Sequence, residues 1–175
     1  MDGLNFDPYV GQEVRVLGRP GVFRIVHVYQ SGEEHPNPNL RSSEGLSGTV
    51  DLRREEDDFV LPAIPWYRLN YVDETCAVRH AIEWLKTNPD GRKYPGYVID
   101  YEVKAGNDHA GNPSIFVRFL VDPDYFYENG RASQEKIAAL NEFTFGVQQV
   151  LSGLGLDSWT YVQTGEARRA LDVAS

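Results

Sequence analysis

Apolar residues change their spacing part-way along the chain. Between residues 10 and 72 they alternate over short stretches separated by turn formers, the pattern of short strands. Residues 12–17 carry Val14 and Val16 on one side. Gly18-Arg19-Pro20-Gly21 follows as a turn signal, because proline presets φ and glycine accepts positive φ. Residues 22–30 are rich in β-branched and aromatic side chains and read as a second strand. A polar loop over 31–47, holding Pro36 and Pro38, leads to a third strand at 49–53. A fourth strand is predicted at 59–61 and a fifth at 66–72, set off by Pro62 and Pro65.

From residue 73 the period becomes helical. Asp73-Glu74-Thr75 offers an N-cap and an acidic first turn, and Val78, Ala81, Ile82 and Leu85 then recur at helical spacing. Asn88-Pro89-Asp90-Gly91 is the predicted stop. Tyr97, Ile99, Tyr101 and Val103 alternate with Val98, Asp100, Glu102 and Lys104, which predicts a strand with one apolar and one wet face. Residues 115–121 are nearly all apolar and predict a more central strand, joined to the first by a loop over 105–114. Ser133 caps the longest predicted helix. Its stripe is Ile137, Leu140, Thr144, Val147 and Leu151, widened by Phe143 and Val150, with Gly153 and Gly155 at its end. A last strand is predicted at 159–164. The expected fold class is α+β: a small β-barrel over 1–72, then an αββαβ module over 73–175 with one long helix packed on a three-stranded sheet.

Val10-Gly11 with Val14 and Val16, then Gly21 and Phe23, then Gly48-Thr49-Val50-Asp51-Leu52, together resemble an SH3-like or Tudor-like barrel. The resemblance implies a strongly bent sheet of five short strands. It transfers no site, because such barrels host many functions.

Composition narrows the function classes. The 175 residues are 41% hydrophobic and 25% charged, which suits a folded core. The net charge of −9 is spread along the chain: residues 1–72 hold 7 basic and 11 acidic side chains, residues 73–175 hold 10 and 15. A uniformly acidic surface repels phosphate backbones, so no general nucleic-acid binding is expected. The same charge allows a further reading as an acidic nucleic-acid mimic. The single cysteine, Cys76, cannot form an internal disulfide and fits a reducing compartment, the cytoplasm. No apolar run approaches the ~20 residues of a membrane span, and residues 1–7 lack a basic-then-apolar signal pattern.

Motifs with dedicated chemistry are missing. There is no Gly-rich phosphate loop, Cys-x-x-Cys, His-Glu-x-x-His or Gly-x-Ser-x-Gly, and His27, His35, His80 and His109 are scattered. No cofactor and no metal are expected. Glu102-Val103-Lys104 resembles the acid-x-Lys strand of PD-(D/E)xK nucleases. That resemblance implies a metal-dependent nuclease in which Asp90 and Glu102 hold a divalent cation and Lys104 orients the attacking water. The ordinary alternative is an ion-paired sheet face on which Asp100 and Glu102 meet Lys104 and Arg118. Asp108-His109 offers either an acid/base pair or turn chemistry. Cys76, at a helix start, offers either a lowered thiol pKa or a plain helix-face side chain. Glu55-Glu56-Asp57-Asp58 reads as a solvated turn. Alternation over 66–72 sets Trp66 beside Arg68 on the polar face, opposite Tyr67, Leu69 and Tyr71. A tryptophan there points to peptide or cation recognition. Trp66, Arg68, Tyr29, Phe59 and His109 are the candidate binding residues. The leading reading is a non-catalytic binding or regulatory protein acting through protein–protein contacts.

Overall fold

A computed structural model of the chain describes residues 3–40, 48–87 and 94–167. The chain divides into two compact units, Met1–Ala77 and Val78–Ser175. The division falls within the first helix, a few residues beyond the predicted boundary at 72/73. Among the described residues, no helix is long and apolar enough to cross a membrane.

The first unit is built on β1 (Glu13–Val16), β2 (Arg19–Val28), β3 (Thr49–Arg54), β4 (Val60–Pro65) and β5 (Leu69–Asn70). They form one antiparallel sheet in the order β4-β3-β2-β1-β5. Period-two alternation gathers Val14, Val16, Phe23, Ile25, Val50, Leu52, Leu61, Ile64 and Leu69 into one core cluster. β4 and β5 are both edges, so the hydrogen-bonded ladder is an open sheet and not the closed barrel expected from the sequence. Pro62 and Pro65 explain one edge: they lie inside β4, where a missing N–H is tolerated only on an unpaired side. β5 is two residues long and gives little to pair with.

Two local predictions in this unit are corrected. The first turn is Leu17-Gly18, with Gly18 at φ 79°. Pro20 and Gly21 lie inside β2, where its pairing with β1 is irregular. Gly21 has φ 100°, which favours glycine, and a Cβ there would stand 2.9 Å from Arg54 Cδ and displace that side chain. The fifth strand begins at Leu69, because Trp66–Arg68 forms a 3-10 turn.

α1 (Glu74–Thr87) carries the division between the units. It starts at Asp73, whose Oδ1 accepts the Cys76 amide at 3.0 Å, an N-cap bond. The second unit continues with β6 (Val98–Asn107), β7 (Pro113–Val121), α2 (Pro123–Phe126), β8 (Tyr127–Glu128), β9 (Arg131–Ala132), α3 (Gln134–Ser152) and β10 (Trp159–Glu166). The sheet order is β10-β7-β6, with β7 antiparallel to β6 and parallel to β10. The central β7 buries Ile115, Val117, Phe119 and Val121. Helix residues cover that face: Phe143 of α3 meets Phe119 at 5.0 Å between ring centres. On α1, Arg79 donates to the Val103 carbonyl, and Glu83 accepts the Tyr101 hydroxyl at 2.7 Å.

Three predictions in this unit also change. An irregularity between Val98 and Asp100 shifts the β6 register by one residue, so Val98 is buried and Ile99 is 57% exposed. The β6–β7 loop is shorter than 105–114, because both strands extend into it. Ser133 holds the N-cap position of α3 without a side-chain cap bond. The predicted stop at Asn88-Pro89-Asp90-Gly91 lies outside the described residues.

Candidate binding cleft

A cleft of about 830 Å³ opens on the first unit where the β1–β2 turn meets the 3-10 turn and β5. Backbone bonding fixes this meeting. The Leu17 amide donates to the Arg68 carbonyl at 2.8 Å, and Arg68 Nη2 donates to the Leu17 carbonyl at 3.1 Å. The 3-10 geometry then breaks the alternation assumed from the sequence. Trp66 packs against the core cluster, and Tyr67 stands 82% exposed, so Tyr67 does not share a buried face with Leu69 and Tyr71. Leu17, at the tip of its turn, is 73% exposed. Trp66, Tyr67, Leu17, Leu4, Arg15 and Arg68 all line the cleft. The indole Nε1–H of Trp66 is enclosed and finds no acceptor among the described residues.

Among the described residues, the lining holds two guanidinium groups, from Arg15 and Arg68, and no carboxylate. Arg15 alternates with buried Val14 and Val16, so its side chain projects from the opposite face of β1 and is exposed. In a chain of net charge −9 this is a local reversal of sign.

The other predicted binding residues lie elsewhere. Tyr29 is buried, and its hydroxyl donates to Asp51 Oδ2 at 2.5 Å. Asp51 Oδ1 accepts the Ala63 amide at 2.9 Å, and buried His35 sets Nε2 3.6 Å from Asp51 Oδ2. Burial, then the Asp51 hydrogen bond, push the Tyr29 hydroxyl well above its ordinary pKa, so it stays protonated. Nearby, His27 Nε2 meets Glu33 Oε1 at 2.5 Å. The network ties the start of the loop after β2 to β3 and β4. Phe59 is 43% exposed, with the Arg54 guanidinium 5.1 Å from its ring centre. Arg54 also pairs through two nitrogens with Asp57, whose carboxyl is held down at about 2. His109 is exposed at the β6–β7 turn of the second unit. Beside it Asp108 accepts the Ala110 and Asn112 amides at 2.9 Å, which is turn chemistry. Burial and then the Asp73 charge push the Cys76 thiol up, away from the reactive thiolate range.

Asp90 lies outside the described residues. Glu102 and Lys104 sit on the edge strand β6, with Glu102 directly opposite Arg118 and Lys104 opposite Phe116. Arg118 turns toward β10, where its guanidinium lies so close over Gly165 that any Cβ would overlap it. Phe116 stacks on Tyr161 at 5.5 Å with an interplanar angle of 16°. Among the described residues, no group of three or more His, Cys, Asp or Glu is placed to hold a metal ion.

No family model, no curated protein and no solved structure matches the chain.

Sequence reasoning brought Trp66 and Arg68 forward and missed Arg15, Leu17 and Leu4. Arg15 carried a usable signal: a cation between two core valines must face outward.

Proposed function

We propose that this chain is a non-catalytic binding protein acting through protein–protein contacts, and that the partner docks in the cleft beside Trp66. One observation carries the reading: Trp66 and Arg68 meet exposed Leu17 and Tyr67 on a single concave surface. Aromatic and arginine side chains concentrate binding energy at protein interfaces, and exposed apolar groups grouped around a cleft mark such sites. The first unit serves as an SH3-like module. Its support is a run of successive antiparallel strands whose last member returns to pair with the first. A lone cysteine, which cannot form an internal disulfide, is consistent with work in the cytoplasm.

The test is affinity for the protein that copurifies with the full chain, measured with the purified pair. Tyr67→Ala removes only an exposed ring, so folding should be unchanged while affinity falls about tenfold or more. Unchanged affinity for Tyr67→Ala and for Leu17→Ser would overturn the reading.

A further inference from the structure

We infer that the cleft selects an acidic peptide segment, in which carboxylates flank a bulky apolar side chain. The inference rests on the docking reading above and names the chemistry of the partner. A tryptophan in a small β-sheet module is compatible with two ligands, a cation or a peptide. The lining decides between them. Cationic side chains beside the ring repel a cationic ligand, and among the described residues the charged groups lining the cleft are Arg15 and Arg68. They come from different elements, β1 and the 3-10 turn. Arg15 makes no ion pair among the described residues, and Arg68 uses one of its five N–H groups on the Leu17 carbonyl. Each guanidinium can therefore take a carboxylate in the paired geometry that arginine favours.

The apolar groups supply the anchor. Leu17 and Tyr67 stand exposed on the cleft, and Leu4, Phe6 and Trp66 line it with them. A ligand that satisfies both sets carries negative charge at separate points and an apolar group alongside. A long polyanion such as nucleic acid is disfavoured, because both halves of the sequence are net negative and repel phosphates that lie beyond the two arginines. A short peptide places its charge at the arginines and exposes little of it to the rest of the surface.

The experiment uses the full chain and three fluorescein-labelled nine-residue peptides. One alternates glutamate with leucine, the second has glutamine for every glutamate, and the third has lysine. Anisotropy titrations are run at about 50 mM and about 500 mM salt. The glutamate peptide should bind at least about tenfold tighter than the other two, and this advantage should vanish at high salt. Arg15→Glu, a change at an exposed position, should abolish the advantage, and Arg53→Glu, exposed on β3 outside the cleft, should leave it intact. Equal binding of the glutamine peptide, binding of no peptide, or a glutamate advantage that survives Arg15→Glu overturns the inference. If the copurifying protein still loses affinity with Tyr67→Ala in any of those cases, docking at the cleft stands and only its acidic specificity fails.

Discussion

Asp51 serves three groups with one carboxylate: the Tyr29 hydroxyl, the Ala63 amide and, at longer range, His35. Ala63 has φ 53°, a conformation unfavourable for a side chain with a Cβ, and the hydrogen bond to Asp51 helps to hold it there. Removing the carboxylate strands buried donors, which costs more than the bonds were worth net. Asp51→Ala is therefore expected to lose about 3 kcal/mol in urea unfolding, and Tyr29→Phe only about 1 kcal/mol. Equal losses would mean that the tyrosine bond alone matters. None of this was readable in advance. Tyr29 appeared as an aromatic candidate for binding, and only the β2–β3 register, which pairs residues more than twenty apart, brings Asp51 under it. Trp66 shows the same limit. Strand alternation put it opposite Tyr67, but a three-residue 3-10 turn changed which side chain faces the core.

Elements were more legible than their edges. Apolar periodicity located α1, α3, β6, β7 and β10, because burial of one face depends on spacing alone. It failed where one residue breaks the spacing, as at Ile99, and where a strand carries prolines, as in β4. One signal was present and unused: Asn129-Gly130, with φ 52° and 76°, makes the two-residue turn of the β8–β9 hairpin. The start of α1 gives a prediction at this scale. A fragment of residues 73–175 keeps the Asp73 cap and the first helical turn, whereas one of residues 78–175 loses both. Caps are worth about 1 kcal/mol, and the lost turn removes buried Ala77 as well. The longer fragment should unfold cooperatively on heating and at a higher temperature than the shorter. Identical melting would show that the first turn of α1 belongs to the first unit alone.

At the scale of the whole molecule, the charge pattern matters more than the total. The net charge of −9 is a sequence total, and it hides a patch of opposite sign built from residues more than fifty apart, Arg15 and Arg68. Such a patch depends on β5 returning to pair with β1, a long-range contact that local patterns do not encode. The central claim is that this patch, with Trp66, is where the protein binds. It is tested most directly by titrating ¹⁵N-labelled full chain with the alternating glutamate–leucine peptide and following every amide and indole signal. The Trp66 indole N–H and the amides of Arg15, Leu17, Tyr67 and Arg68 should move together and saturate, while those of β6, β7 and β10 stay still. Largest shifts on the Phe116–Tyr161 face of the second sheet, or no saturable shift at Trp66, would contradict it.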